Sequence, residues 1–156
     1  MGMSFSGFDA INDYIDNQFE KAMQVAVRRL ERLGVEAVKR VRDRTAEESW
    51  IDQTGNLRSS IGYVICHNGE IIGSSSFGII KKGAEGKKMG KEYAEELAKK
   101  YANNDYVLII VAGMDYAVYV EAMENKDVLA STEIWLKDQI PALCNRISKD
   151  FSAKMK

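Results

Sequence analysis

The longest regular pattern in this sequence is a stripe of apolar residues between Asp9 and Arg44. Its members recur in steps of three and four, at Ile11, Ile15, Phe19, Met23, Ala26, Leu30, Leu33, Ala37 and Val41. That spacing predicts one amphipathic helix, and acids near its start with bases near its end suit the helix dipole. At 1.5 Å per residue it would reach ~54 Å, longer than a compact domain of this size needs. We therefore expect a kink at Gly34 or a projection toward a neighbour.

A hairpin is the clearest local signal after this helix. Asn68-Gly69 separates two apolar segments, residues 61–67 and 70–77, and this dipeptide supplies the two positive-φ residues of a type I′ turn. In that register His67 pairs with Glu70 and Ile65 pairs with Ile72. The residues that then share the sheet face toward the long helix are Ile61, Tyr63, Ile65 and Ile72.

The remaining segments complete an α+β pattern. Residues 80–91 are rich in Gly and Lys and predict a mobile loop, followed by a helix over residues 92–101. The apolar run of residues 106–112 predicts a central buried strand, and residues 116–123 predict a short helix. A final helix opens at Ser131 or Thr132 and contains Pro141. The expected fold is a long N-terminal helix packed on a small, mainly antiparallel sheet, formed by the hairpin and the central strand, with a C-terminal helix.

Composition places this pattern in a single soluble domain over residues 1–156. The chain is 46% hydrophobic and 29% charged, and no apolar run approaches the ~20 residues that span a bilayer. No signal peptide is recognisable, which predicts the cytoplasm and no membrane partner. Cys66 and Cys144 stand among aliphatic neighbours, so we expect both to be buried thiols in a reducing compartment.

The search for catalytic or ligand-binding patterns is mostly negative. The chain has one histidine and lacks the paired His and Cys spacings of zinc sites. Residues 82–88 lack the order of a phosphate-binding loop, and a net charge of −1 disfavours a dedicated nucleic-acid binder. Cys66 and His67 are adjacent in a strand, so their side chains should diverge. The sequence predicts no catalytic centre, no metal and no cofactor.

Two alternatives stay open at this point. Asp115 and Glu121 could form the acid/base pair of a small enzyme, although an acidic surface shared with Glu124 and Asp127 is favoured. The long first helix could instead bind a partner helix, as in a cytoplasmic adaptor protein. Five tyrosines suit packing and interface contacts: Tyr93, Tyr101, Tyr106, Tyr116 and Tyr119.

Charge is unevenly distributed along the chain. Residues 28–44 hold seven Lys or Arg against three acids, whereas residues 105–138 hold seven acids against two Lys. A molecule with one basic and one acidic surface can meet its own copies head to tail.

Two short motifs carry a family resemblance. They are Thr54-Gly55-Asn56-Leu57-Arg58, which enters the hairpin, and Tyr116-Ala117-Val118-Tyr119-Val120-Glu121 after the later strand. In this order and separation the chain resembles the tail-completion or minor tail component family of long-tailed bacteriophages, whose members join heads to tails. The resemblance implies a structural subunit, not an enzyme, that forms a ring, possibly a hexamer, at the head-proximal end of the tail. Residues 78–104 look like a loop-helix insertion relative to compact members.

The resemblance also implies roles for the motif residues and partners. Thr54 and Gly55 would shape the turn, Leu57 would anchor it in the core, and Arg58 could pair with Glu121. Tyr116, Tyr119 and Val120 would seat the second segment. The expected partners are copies of the chain, the tail tube and the neck proteins, in the bacterial cytoplasm during assembly and then in the virion. The residues that would face the lumen, with non-specific contact to passing DNA, or the adjacent ring are Lys81, Lys82, Lys87, Lys88 and Lys91.

Overall fold

The computed structural model describes residues 7–44, 51–103, 106–123 and 128–154, together with Gly2. It confirms the predicted α+β fold. In chain order the elements are α1 (Phe8–Arg42), α2 (Asn56–Ser59), β1 (Ile61–His67), β2 (Glu70–Ser74), α3 (Ala84–Lys99), β3 (Tyr106–Ala112), α4 (Ala117–Met123) and α5 (Ala130–Lys154). None of the helices in these segments is long and apolar enough to cross a membrane. The expectations for Glu124 and Asp127 fall outside the described residues.

The sheet has three antiparallel strands in the order β2-β1-β3. The prediction that β3 is the central strand is wrong, because β1 occupies that position. The apolar run of β3 has another cause: its alternate residues pack against two separate cores, with Ile110 in one and Ile109 in the other. An edge strand covered on both faces by helices has the same composition as a central one.

Alternation along β1 divides the core into two layers. Ile61, Tyr63 and Ile65 face α1, where they meet Val38 and Val41. The intervening residues Val64 and Cys66 face the opposite side, where they meet Phe77 and the alanines Ala94 and Ala98 of α3. The sheet therefore lies between α1 with α5 on one face and α3 on the other.

The hairpin turn forms as predicted, but the register beyond it differs. Asn68 and Gly69 both have positive φ, at 52° and 82°, and His67 pairs with Glu70. Ile65 pairs with Gly73, so the prediction that it pairs with Ile72 is wrong. The ladder shifts between Ile65 and Cys66 and leaves Ile72 as the extra residue of a β-bulge, 45% exposed.

Helix α1 is continuous over 35 residues, which makes it about 52 Å long. Gly34 does not break it; a Cβ there would lie 2.7 Å from the ring of Tyr63, so the glycine allows close packing on the sheet. Helix α5 runs antiparallel beside α1, with Arg40 over the ring of Trp135 and Arg29 paired with Asp150.

The first turns of α1 extend past this packed region. Phe8, Ile11, Ile15 and Phe19 are all more than half exposed, whereas Ala26 and Leu33 further along the same stripe are buried. We call residues 8–20 the arm. The predicted projection of the helix is therefore observed at its N-terminal end.

The prediction of a mobile loop over residues 80–91 is wrong from Ala84 onward, because α3 begins there. Lys87, Lys88 and Lys91 accordingly lie on a helix. Glycine and lysine suggested a loop, but the glycines of this segment are buried where α3 crosses α2 at very short range. The expectation for Cys144 is also wrong: it is exposed on α5, whereas Cys66 is fully buried and burial raises the pKa of its thiol.

Candidate functional site

The Thr54–Arg58 turn is organised by a carboxylate that the sequence analysis did not single out. Asp52 is 8% exposed; its Oδ1 accepts the Gly55 N–H at 2.8 Å and its Oδ2 accepts the Arg58 N–H at 3.0 Å. Both donors are backbone groups at the start of α2, where N–H groups lack helical partners. Gly55 has a φ of 83°, which fits its predicted role in shaping the turn. The signal that could have identified Asp52 is an acidic side chain just before a turn, where it can accept N–H groups that have no helical partner.

The two motifs meet in the core that faces α1, where Leu57 of the first packs with Ala117 and Val120 of the second. Burial raises the pKa of the Tyr116 phenol, the charges of Asp52 and Glu85 raise it further, and a hydrogen bond with Thr54 lowers it. The Thr54 hydroxyl also accepts the Asn56 N–H at 3.2 Å, and its carbonyl accepts the Lys82 N–H at 3.1 Å. Thr54 thus joins the turn to the segment before α3.

Arg58 does not take the predicted partner Glu121. Its guanidinium donates to the carbonyls of Arg42 and Arg44, the latter at 2.9 Å, and so satisfies the end of α1. In return Arg42 donates to the carbonyl of Arg58 at 3.1 Å and to that of Ile61. Burial lowers the pKa of Arg42, and the charge of Asp43 opposes that shift. The two arginines therefore clamp α1 to α2 and β1.

Glu121 instead caps the last helix. Its Oε1 accepts the backbone N–H groups of Val128, Leu129 and Ala130 at 3.2, 2.9 and 2.8 Å. Charge-assisted bonds to unpaired N–H groups at a helix N-terminus are among the stronger ones in proteins. Asp115 is exposed. The carboxylate suggested for acid/base chemistry is thus bound to backbone, which favours a structural role for Glu121.

Glu121→Ala is expected to lower the free energy of unfolding by about 2 kcal/mol, because three N–H groups lose a charged acceptor. Urea denaturation measures the change. Glu92→Ala is the matched control: its carboxylate is exposed and lies 3.9 Å from Lys88, so a change below about 0.5 kcal/mol is expected. Equal losses in the two variants would contradict the capping role.

The other motif residues fix the turn against the remaining elements. Asn56 accepts the Gly86 N–H at 3.2 Å through Oδ1, and Gly113 donates its N–H to the Ser60 carbonyl at 3.3 Å. Leu57 is 1% exposed within the core that faces α1, as predicted, and Val120 packs against that same core. The side chain of Tyr119 lies outside the described part of the chain.

Comparison with family models, with curated proteins and with solved structures gives no match. The family resemblance accordingly rests on the two motifs and on their order.

The five predicted lysines do not form one patch. Lys81 donates to the carbonyl of Asp52 and belongs to the turn, and Lys82 is exposed beside it. Lys87 and Lys91 line a cavity of about 420 Å³ between β2 and α3, whereas Lys88 is exposed elsewhere on α3 beside Glu92. These five lysines therefore do not lie on a single loop.

The chemistry available to the described residues is limited. No group of three or more His, Cys, Asp or Glu among them could hold a metal ion. His67 stacks on Tyr106 with ring centroids 4.2 Å apart. The polar side chains of the motif junction, defined here as Asp52 with Thr54–Arg58, Tyr116 and Glu121, are mostly bonded to backbone. The bonds of the junction residues reach all five helices, α1 to α5. This geometry suits a structural scaffold.

Proposed function

We propose that this chain is a structural virion protein of a long-tailed bacteriophage or prophage, a tail-completion or neck subunit that assembles with copies of itself into a ring. The observation that carries the proposal is that the two motifs share one core, where Leu57 of the first packs with Ala117 and Val120 of the second.

The use of charged groups supports a structural role over catalysis. Asp52 and Glu121 accept backbone N–H groups, and Arg58 donates to backbone carbonyls. Groups already committed to backbone are poorly placed to bind and transform a substrate. The acid/base alternative built on Asp115 and Glu121 has correspondingly less support.

The arm supports assembly. Its apolar side chains are more than half exposed, on a part of α1 that extends beyond the sheet. A contiguous apolar surface of this kind is typical of an interaction site. Basic and acidic blocks lie in different parts of the chain, which suits contacts that pair unlike surfaces around a closed ring. The same arm also favours the second candidate, an adaptor that binds a partner helix.

The deciding experiment is electron microscopy of particles made by a prophage from which the coding sequence has been deleted. We expect unjoined heads and tails, or overlong tails, and recovery of complete virions when the wild-type chain or the Lys88→Ala variant is supplied. Normal virions in the deletion strain would refute the proposal. In that case light scattering, which measures the mass of the purified chain in solution, tests the adaptor hypothesis, for which a monomer or dimer is expected.

A further inference from the structure

The arm carries charge on one side only. At about 100° per residue, Phe8, Ile11, Ile15 and Phe19 form one stripe, while Asp9, Asp13, Asp16 and Glu20 cluster about 120° around the helix from its centre. Residues 8–20 contain these four acids and no lysine or arginine. A complementary surface must therefore offer an apolar floor bordered on one side by cations.

The apolar stripe of the arm continues the stripe that α1 buries in its own subunit. Ala26, Leu33 and Ala37 lie on this same side of the helix and are buried against the sheet and α5. Outside the core, the arm thus exposes the same kind of apolar surface that the rest of α1 buries inside it. The partner surface that suits such a face best is a groove in which a helix can pack against a sheet.

The cavity between β2 and α3 has those properties. Val64 and Phe77 lie beneath its floor, each 2% exposed, so the apolar surface that the floor offers comes chiefly from Ile71, which is 38% exposed. Lys87 and Lys91 form the wall on the α3 side, while Ser74–Ser76 line the other wall. Within the described part of the chain neither lysine has an ion-pair partner, although Glu95 lies at the end of the cavity.

We propose that the arm of one copy docks in the β2/α3 groove of the next copy. Ile11 and Ile15 would pack on Ile71, and the acidic flank would face Lys87 and Lys91. This inference rests on the proposed self-assembly and adds the contact that produces it. The arm cannot reach its own groove, because α1 and α3 lie on opposite faces of the sheet.

Competing contacts fit less well. Two arms paired antiparallel would bring their acidic flanks together on one side of the pair, which is repulsive. A second cavity, between α1 and β2, is bordered by Lys39 and Arg42, but Arg42 already donates to two backbone carbonyls and Asp43 stands beside it. Because each copy has one arm and one β2/α3 groove, the docking is heterologous and can close into a ring.

Reciprocal charge reversal tests this contact. One variant carries Asp13→Lys and Asp16→Lys in the arm, and the other carries Lys87→Glu and Lys91→Glu in the groove. Sedimentation velocity is expected to show that each variant alone associates at least tenfold more weakly than the wild type, because like charges then meet. An equimolar mixture is expected to regain association, since each variant's arm then faces the oppositely charged groove of the other. Lys88→Glu is the matched control and is expected to behave like the wild type.

Cysteine cross-linking gives a second readout that does not depend on charge. In a Cys144→Ser background, Ile15→Cys in the arm and Ser76→Cys in the groove are expected to form a disulfide-linked heterodimer when the two variants are mixed. A dimer formed chiefly by Ile15→Cys alone would indicate arm-to-arm pairing and overturn the inference. Assembly unaffected by either charge reversal would overturn the docking contact while leaving the ring intact. Absence of any self-association would overturn the docking contact too, whereas normal virions in the deletion strain would overturn the proposed function.

Discussion

Gly86→Ala and Gly90→Ala are each expected to lower the free energy of unfolding by about 3 kcal/mol, because the added methyl groups overpack the contacts of α3 with α2 and with Ser60 just after it. A Cβ at Gly86 would lie 2.7 Å from the Cα of Asn56, and one at Gly90 would lie 2.8 Å from the Cα of Ser60. In each case the obstacle is backbone, which cannot rotate away as a side chain could. Helix α3 would have to move away from the junction, and the close contact between Gly113 and Gly90 would be lost.

The sign of this effect makes it a sharp test. In an exposed helix interior, replacing glycine with alanine stabilises by about 1 kcal/mol. Urea denaturation of both glycine variants and of the exposed control Lys88→Ala measures the difference. A gain in stability at Gly86 or Gly90 would mean that α3 does not cross α2 at the described distance.

Phe77→Ala is expected to cost about 4 kcal/mol, the typical loss for a fully buried aromatic side chain. Phe77 is 2% exposed, and its ring lies directly over Gly62 of β1, where a Cβ would be 2.6 Å from the ring carbon Cδ1. The residue also has a φ of 45°, in the left-handed region that non-glycine residues seldom adopt. Packing of the ring therefore outweighs the backbone strain.

Thermal and urea unfolding of Phe77→Ala should be compared with Phe19→Ala, which removes a similar ring that is 57% exposed in the arm. The Phe19 variant is expected to change stability by less than about 1 kcal/mol in dilute solution. A double-mutant cycle with Gly62→Ala adds a direct check, because the added methyl should be better tolerated once the ring is gone. Additive effects would show that the ring does not occupy the space above Gly62.

The elements that can be predicted from the sequence are those with a regular local pattern, such as a helix that buries one apolar stripe against one neighbour. Helix α1 buries one stripe and the hairpin contains an Asn-Gly turn, so both follow from local pattern. The first half of helix α3, residues 84–91, does not, because its glycines are required by the partner that crosses it at Asn56 and Ser60, whereas the helical spacing of its second half predicted residues 92–99 correctly. That partner is distant in the sequence, so composition alone indicates a loop.

The motif junction is predicted in part for a similar reason. Leu57 and Gly55 have roles that their residue types suggest, whereas Arg58 satisfies the end of α1 and Glu121 caps α5. A cation and an acid in a sequence suggest an ion pair, but backbone groups left unpaired at helix ends can compete for both. Those groups become visible only when the helix boundaries are known.

The bulge at Ile72 has a consequence for how copies of this chain can come together. Strand β2 forms one edge of the described sheet, and an edge with regular N–H and C=O spacing can add strands from other molecules. The extra residue breaks that spacing and increases the local twist, which disfavours continuous sheets and fibre growth. Contacts at this edge are thereby biased toward side chains, so that copies can crowd together without polymerising into cross-β aggregates.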